Sequence, residues 1–318
     1  MRQVAVSFPG GERYRRLGPY LKERFGARVH KVTLRGGFGC PNRDGRVGTG
    51  GCIFCSEQAL LPASGPAFGP IAEQLQAGIR AVELRTGANL FLAYFQDQTA
   101  TDAPLAVLRS LYLSALSHPR VVALAIGTRP DWLPDEVLEL CAELNRHKPV
   151  MIELGLQSAS DESLKRLRRG HSAEDFARAA RRCKSAGLEV VAHVILDLPW
   201  EGRAELEGTA KFLGELKVDG VKIHNLHVLR HTPLEESWRR GEVRLRPLEE
   251  YVELVVEFLE LLPPWLVVHR LTGEAPQRLM LAPEWFARKG QVFRMVAERL
   301  RQIDGWQGKN YHADNPGK

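Results

Sequence analysis

The chain has 318 residues, of which 44% are hydrophobic and 26% charged, and this suits one barrel-sized globular domain of about 250 residues with modest extensions. No apolar run approaches the roughly 20 residues of a membrane helix, and the N-terminus lacks a secretory pattern, so we expect a cytoplasmic protein with reduced thiols and no membrane partner. The formal charge of +6 permits a polyanionic partner but does not require one.

Residues 1–28 form a basic N-terminal extension in which tyrosines are interspersed with arginines and lysines. Two interpretations stay open. The segment is either an amphipathic helix with a solvated charged face, or an RNA-facing surface on which Tyr14 or Tyr20 stacks against a base. The first is the more general use of such a charge run.

Residues 35–55 place Cys40, Cys52 and Cys55 in one glycine-rich loop. Glycine tolerates positive φ, so the loop can fold back and bring distant thiolates together, and converging thiolates bind zinc or an iron–sulfur cluster. A structural zinc site or an electron-transfer 4Fe-4S cluster needs four protein ligands. Three thiolates instead leave one iron open to the amino and carboxylate groups of S-adenosylmethionine (SAM). The alternative is a structural zinc site completed by a histidine such as His30.

From residue 29 onward, short runs rich in Val, Ile and Leu alternate with longer amphipathic segments, which predicts βα units around a parallel sheet. The expected fold is α/β, a partial (βα)6 TIM-like barrel over 29–262 with a short C-terminal cap over 263–318. The predicted strands are 29–34, 89–95, 121–127, 150–157, 189–196 and 220–226. The predicted helices are 70–86, 102–117, 134–147, 161–187, 201–217 and 290–303.

Two local patterns within these helices carry predictions of their own. Ser172 and Asp175 have the spacing of a capping box at a helix N-terminus. Cys141 and Cys183 recur with apolar residues at helical spacing, so we interpret both as small core residues rather than metal ligands.

In a parallel barrel the active site lies at the carboxyl ends of the strands, so polar residues there are candidate cofactor contacts. In the fourth predicted strand, alternation places Glu153 and Gln157 on the interior face, opposite the apolar side chains that meet the helices. Buried polar groups need partners, which the ribose hydroxyls and ammonium of a cofactor would supply. The alternative is that Glu153 pairs with a buried base such as Lys222.

Three other strand ends carry polar candidates. Arg129 can bind a cofactor carboxylate or a substrate phosphate bidentately, or form a salt bridge with Asp131. One face of the fifth strand presents His193, Ile195 and Asp197; His193 is a candidate for the cofactor pocket, although a lone strand histidine is more often a satisfied core residue. The density of polar residues at the sixth strand predicts substrate contacts from among Lys222, His224, Asn225 and His227.

The cysteine loop resembles the cluster motif of the radical SAM superfamily, in which an aromatic residue precedes the last cysteine, as Phe54 does here. Eleven residues separate Cys40 from Cys52, which departs from the superfamily's usual three-then-two spacing. This longer spacing, together with Gly-Thr-Gly-Gly-Cys, looks like the YhcC-type subgroup, which is similar to the radical domain of the Elongator catalytic subunit. The resemblance runs from about residue 14 to residue 308.

The resemblance implies an enzyme with a 4Fe-4S cluster, SAM at the open iron and an external electron donor. It makes the three cysteines of the loop the cluster ligands. It also adds candidate cofactor contacts from Phe54, from Gln96 in a Tyr-Phe-Gln segment, and from Arg169, which begins an Arg-Gly-His element ending at His171.

The implied reaction is reductive cleavage of SAM to a 5′-deoxyadenosyl radical that abstracts hydrogen from a substrate. By analogy to Elongator, the first expectation for that substrate is the C5 substituent of a wobble uridine in tRNA. Radical chemistry on a small molecule or a protein is the alternative among enzymes. A zinc-stapled RNA-binding protein without catalysis is the alternative from another class.

Overall fold

A computed structural model describes residues 8–56, 58 and 69–312. Nine strands occur in the described ranges: β1 Val29–Leu34, β2 Leu90–Phe95, β3 Val121–Thr128, β4 Val150–Gln157, β5 Glu189–Ile195, β6 Gly220–His224, β7 Val228–Leu229, β8 Val267–Arg270 and β9 Met280–Ala282. Seven of them form one parallel sheet in the order β1-β2-β3-β4-β5-β6-β8, while β7 and β9 pair as a short antiparallel ribbon. With its helices on the outer face, the seven-stranded sheet curls into a TIM-like half-barrel.

The helices of the described ranges connect these strands or cover them. They are α1 Leu17–Phe25, α2 Ile71–Thr86, α3 Leu105–Leu116, α4 Asp135–Asn145, α5 Asp161–Arg166, α6 Ala173–Ser185, α7 Arg203–Glu215, α8 Pro233–Arg239, α9 Leu248–Leu261 and α10 Lys289–Gln302. Among the residues described, no helix has the length and apolar character needed to cross a membrane.

The six predicted strands are confirmed to within two residues at each end. A seventh parallel strand, β8, comes from the segment predicted to form a cap, and pairs with β6 through the register Gly220↔Val267. The C-terminal segment therefore extends the barrel sheet as well as covering it.

One predicted helix is wrong, because residues 161–187 form two helices rather than one. Between α5 and α6 the backbone turns at Arg168 and Gly170, with φ of +55° and +70°. These values lie outside the right-handed helical region. The predicted capping box then starts α6, since the Ser172 side chain accepts from the Asp175 N–H and the Asp175 carboxylate accepts from the Ser172 N–H. The break releases residues 168–171 toward the barrel mouth.

The core lies mainly between the sheet and the outer helices. As predicted from alternation, the side chains of Ile152, Leu154 and Leu156 point into this outer layer and are fully buried. The cysteines of the outer helices, Cys141 and Cys183, are buried there too, which confirms them as core residues, and burial raises the pKa of each thiol to about 12. The opposite face of the sheet is thereby left to line the barrel interior.

Helix α1 closes the amino end of the half-barrel and forms its floor. Leu21 is buried in a small cluster with interior side chains of the sheet, including Leu92 and Met151. Arg24 pairs with Glu189 at the start of β5 at 2.5 Å. The basic N-terminal segment thus packs at the amino ends of the strands, with its amphipathic helix facing the barrel, and this favours the first of the two interpretations of that segment.

The beginning and the end of the described chain meet at this floor. The backbone N–H of Gln307 donates to the Arg13 carbonyl at 2.9 Å, and the Arg15 N–H donates to Gln307 Oε1 at 2.8 Å. The Gln307 amide is fully buried and also donates to the carbonyls of Pro263 and Leu266 at 2.7 and 2.8 Å. One glutamine near residue 300 therefore fixes the N-terminal segment to the C-terminal part of the barrel.

Candidate active site

A cavity of about 370 Å³ opens at the carboxyl ends of the strands, bordered by the cysteine loop (residues 35–56) and by the loop after β8. Strands β2 to β6 all contribute to its lining or are followed by residues that do. Its polar lining from these strands includes Tyr94, Gln96, Glu153, Gln157, His193 and His224. The cavity thus lies where parallel barrels place their active sites.

The cysteine loop leaves β1 through Gly36 and Gly37, and a residue with a side chain would be strained at either position. Gly37 has a φ of +76°, and a Cβ at Gly36 would come within 2.2 Å of the Phe38 ring. Both backbone N–H groups donate to Oδ2 of the buried Asp97, at 3.0 Å from Gly36 and 2.9 Å from Gly37. This turn fixes the direction in which the loop crosses the barrel mouth.

All three cysteines of the loop line the cavity, and none is in a disulfide. Cys52 is buried, whereas Cys40 and Cys55 are half-buried. Burial raises the pKa of the Cys55 thiol, and the neighbouring Cys52 sulfur adds to the shift. A coordinated metal would offset both effects, because metal binding holds a thiol in its deprotonated form.

The Cys52 sulfur accepts two N–H groups from buried side chains. Asn42 Nδ2 lies 3.5 Å and Arg169 Nη1 lies 3.4 Å from Cys52 Sγ. Such donors stabilise negative charge on sulfur, so the donor set fits a thiolate-bound iron–sulfur cluster. Within the described ranges, no three His, Cys, Asp or Glu side chains are arranged to hold a single metal ion.

Glu153 lies at the centre of an ionic network inside the barrel. Its side chain is 0% exposed and contacts Lys31 Nζ at 2.7 Å, His193 Nε2 at 3.0 Å and the Lys222 ammonium, which also donates to the Tyr94 hydroxyl at 2.7 Å. Burial opposes ionisation of Glu153, but Lys222 and Lys31 outweigh it and hold the pKa of this carboxyl well below its usual range. The structure therefore contains the pairing with Lys222, and the same carboxylate also borders the cavity.

Two arginines stand side by side between the cysteine loop and β4. Arg129 forms a bidentate salt bridge with Asp131, at 3.0 and 2.8 Å, and donates to the Arg169 carbonyl at 2.8 Å. Arg169 donates in turn to the Gly155 carbonyl at 3.0 Å as well as to Cys52. The salt bridge to Asp131 is thus present and largely buried, and Arg129 retains a buried Nη1 with no hydrogen-bond partner among the described residues.

The family model of the radical SAM superfamily matches residues 37–213, and that of the radical SAM C-terminal domain matches residues 218–302. The chain belongs to the radical SAM superfamily. It is 37% identical to protein YtqA of Bacillus subtilis over 94% of this chain and 92% of that protein, and 40% identical to YhcC of Escherichia coli over 84% and 86%. The resemblance to the YhcC-type subgroup is thereby confirmed.

Relatives of the Elongator type match a smaller part of their own length. The tRNA uridine(34) acetyltransferase of Methanocaldococcus infernus is 32% identical over 51% of this chain and 30% of that protein. The solved structure of Elp3 from the same organism superimposes with a TM-score of 0.67 at 20% identity, covering 88% of this chain and 64% of that one. Streptococcus suis SuiB bound to SAM superimposes with a TM-score of 0.53 at 12% identity, over 81% and 54%. These structures share the half-barrel fold.

The protein is accordingly a radical SAM enzyme, whose cofactors are a 4Fe-4S cluster and SAM and which needs an electron donor. The structure brings most of the predicted contacts of this radical SAM site to one cavity. The predicted residues that line it are Cys40, Cys52, Phe54, Cys55, Gln96, Arg129, Glu153, Gln157, Arg169, His193 and Ile195.

Asp197 is the predicted contact that lies outside the cavity lining. Its carboxylate is buried and accepts the backbone N–H of Leu226, which does line the cavity. Burial raises the pKa of Asp197 to about 7. Asp197 therefore does not border the cavity itself but holds in place the backbone after β6, which does.

Sequence reasoning did not identify Lys31, Asn42 or Glu274 as part of the site. Lys31 lies on β1, 122 residues before its partner Glu153 on β4. The two side chains meet only because both strands line the same barrel interior. Asn42 follows Cys40 closely in the cysteine loop, but its donation to Cys52 depends on how the loop folds. A lysine on the interior face of the first strand was the one local signal that could have revealed the network.

Proposed function

We propose that this radical SAM enzyme modifies tRNA in the cytoplasm, abstracting hydrogen from the C5 substituent of a wobble uridine. The observation that carries the radical chemistry is the convergence of the three loop cysteines with polar strand ends on one cavity. Similarity to a tRNA uridine(34) acetyltransferase over half of the chain supports the choice of tRNA.

Cys40, Cys52 and Cys55 would hold the cluster, with Asn42 and Arg169 donating to the Cys52 sulfur. When bound, the cluster and SAM supply the one-electron cleavage that yields a 5′-deoxyadenosyl radical. The remaining work belongs to the chain, which must orient SAM and exclude water. Contacts to SAM are assigned to Phe54, Gln96, Arg129, Glu153, Gln157, His193 and Ile195, all of which line the cavity.

Arg129 is the residue best suited to the carboxylate of SAM. It stands next to Arg169, which contacts Cys52, so its guanidinium lies on the side of the cavity where the cluster would be. Its buried Nη1 lacks a partner among the described residues. A buried guanidinium nitrogen without an acceptor is costly, and a carboxylate would satisfy it.

The proposed function is tested with protein purified without oxygen and supplied with SAM and a reductant. We expect about four irons per chain and formation of 5′-deoxyadenosine, increased by tRNA from cells that lack this enzyme. Mass spectrometry of the digested tRNA should show the new mass on the wobble uridine. One zinc per chain with no sulfide and no cleavage would instead make the loop a structural staple.

Salt dependence separates tRNA from a small molecule or peptide as the substrate. Six to ten phosphate contacts would reduce tRNA affinity about 1,000-fold or more between roughly 50 and 200 mM salt. Equilibrium binding of SAM under the same conditions is the control for a general effect of salt on the protein. Affinity for tRNA that is absent or insensitive to salt would contradict the tRNA proposal while leaving the radical chemistry in place.

Replacement of Arg169 by glutamine is expected to lower the midpoint potential of the cluster. Its guanidinium donates to Cys52 Sγ, and such a donor favours the reduced state, in which the sulfur carries more negative charge. A loss of about 1 kcal/mol of this preference corresponds to roughly 40 mV for a one-electron couple. A redox titration followed by electron paramagnetic resonance measures the shift.

Arg166→Gln is the matched control, because Arg166 is an exposed residue of α5 that pairs with Glu162 on the same helix. Its midpoint potential should equal that of the wild type. An unchanged potential in Arg169→Gln, at full iron content, would show that the guanidinium does not act on the sulfur.

A further inference from the structure

One wall of the cavity is built by the end of β6 and by the loop after β8. We name it the histidine wall, and its members are His224, Asn225, His227 and Glu274. The cysteine-loop contacts described above involve the segment after β4 instead, through Cys52 with Arg169. The histidine wall therefore lies on other strands than the groups assigned to the cluster. It adjoins the β5 residues assigned to SAM, since Ile195 pairs with His224 in register and the His193 and His224 ring centroids are 5.4 Å apart.

Asn225 and Gly273 fix the positions of the two imidazoles. Asn225 is buried, and its Oδ1 accepts the Thr272 hydroxyl at 2.7 Å and the Gly273 N–H at 3.1 Å, which ties the end of β6 to the loop after β8. A Cβ at Gly273 would lie 2.8 Å from His227 Cε1 and 3.4 Å from His224 Nδ1. The backbone thus packs directly against both rings and limits their movement.

Arg270 stands behind His224 and carries a charge that no carboxylate neutralises directly. Its Nη2 lies 2.7 Å from His224 Nδ1 and also contacts His224 Nε2, and its buried Nε has no hydrogen-bond partner among the residues described. In the described part of the chain, no carboxylate comes within salt-bridge distance of this guanidinium. The two nearby carboxylates are already engaged, Glu153 by lysines and Glu274 by Lys289.

Among the described residues, His227 has a ring nitrogen without a partner beside the cavity, whereas His224 is held by Arg270. Burial, reinforced by Arg270, lowers the pKa of His227 to about 4 and the pKa of His224 well below its usual value, so both are neutral near pH 7. A neutral imidazole has one N–H donor and one acceptor, and the Arg270 guanidinium contacts both ring nitrogens of His224. His227 Nε2 is buried and has no partner within the described ranges.

We propose that His224, His227 and Arg270 form a subsite for an anionic group of the substrate, a phosphate or a carboxylate. Cations outnumber carboxylates in this part of the barrel, since Glu153 faces both Lys31 and Lys222 while Arg270 has no carboxylate of the described chain within salt-bridge distance. An anion at the histidine wall would supply the missing negative charge and accept a hydrogen bond from His227 Nε2.

The carboxylate of SAM is the other anion that could occupy this wall, and position argues against it. Arg129, with its own free Nη1, lies beside the cysteine loop and the β4 end. The histidine wall lies at the end of β6 and after β8, toward the other edge of the sheet, where it adjoins β5. Two cationic groups at separate strands suit two anions, one on the cofactor and one on the substrate.

This subsite rests on the proposed function only for the identity of the molecule that carries the anion. In the tRNA case it is the phosphate of the modified nucleotide or an acidic group on its base. Inorganic phosphate and acetate serve as probes of the subsite itself, whereas uridine and uridine 5′-monophosphate test the nucleotide.

The experiment measures binding of these four probes by calorimetry to the cluster-containing enzyme saturated with SAM. We expect uridine 5′-monophosphate to bind more tightly than uridine, and Arg270→Gln to weaken every anionic probe by about tenfold or more. Arg270→Lys keeps the charge and should retain part of this affinity. Arg109→Gln, which removes a cation from the outer helix α3, should change nothing.

Iron content, circular dichroism and SAM affinity of each variant distinguish a lost subsite from a misfolded protein. SAM affinity within about twofold of the wild type, together with weaker anion binding, supports the subsite. Weakened SAM binding in Arg270→Gln would show that Arg270 binds the cofactor, and this would overturn the proposal. Unchanged affinity of this variant for all the anionic probes would overturn it as well. Binding of phosphate and acetate through Arg270, with no added affinity from uridine, would support the subsite and refute the tRNA substrate.

Discussion

Alanine in place of Cys55 is expected to remove most of the iron and sulfide from the protein and to reduce formation of 5′-deoxyadenosine to background. The loop supplies three thiolates, one for each of three irons. With only two thiolates, a further iron would have no protein ligand and would be lost to solvent. Iron and sulfide analysis, followed by chromatography of the SAM cleavage products under reducing conditions, measures both effects on one sample.

Cys183→Ala is the matched control for this substitution. Cys183 is fully buried on the helix side of the sheet, where burial keeps its thiol protonated, so its loss should leave the iron content and SAM cleavage as in the wild type. Wild-type iron and cleavage in Cys55→Ala would overturn the assignment of the three ligands. Retention of one tightly bound zinc in the wild type, without sulfide, would overturn the cluster itself.

Glutamine at position 153 is expected to destabilise the folded protein by about 3–5 kcal/mol, which would lower the midpoint of thermal unfolding by roughly 10 °C. The carboxylate of Glu153 is the counter-ion of the buried Lys222, and its removal leaves that ammonium without one. The double variant Glu153→Gln/Lys222→Met should recover much of the loss, because it removes both charges together. Equal unfolding midpoints for the wild type and Glu153→Gln would contradict this account.

The pH dependence of this defect follows from the directions of the two pKa shifts. The folded pKa of Glu153 lies below its unfolded value, so its contribution is present above the unfolded pKa and is lost as pH falls through the folded one. Burial already lowers the pKa of Lys222 in the wild type, where Glu153 opposes the shift. In Glu153→Gln that opposition is lost and the pKa falls further, so the variant gains more stability than the wild type as rising pH favours the neutral amine. The difference between the unfolding midpoints of the wild type and Glu153→Gln should therefore become smaller as the pH rises from 7 to 9.

The strand pattern predicted the interior of the barrel well wherever the strand continued. Alternation along β4 correctly placed Glu153 on the interior face, with the apolar residues outside. The same rule failed for Asp197, because β5 ends at Ile195 and the chain then leaves the sheet, so side chains no longer alternate between two faces. Alternation therefore predicts the direction of a side chain only for residues that lie within the strand.

Contacts between distant strands could not be read from local sequence. Lys31 and Glu153 meet because β1 and β4 face the same barrel interior, and no pattern within either strand specifies that pairing. The break before α6 was more accessible, since Gly170 followed by the Ser172 capping box is a strong local signal for a new helix. Helical periodicity across residues 161–187 concealed that signal.

The floor of the barrel has a consequence for how the protein is made. Arg13 and Arg15 are among the first described residues to leave the ribosome, yet their partner Gln307 lies 292 residues beyond Arg15. During synthesis the barrel sheet can assemble from successive βα units, but its amino end stays unsealed until the C-terminal segment has emerged. Closure of the barrel floor is therefore one of the last steps in the folding of the described chain.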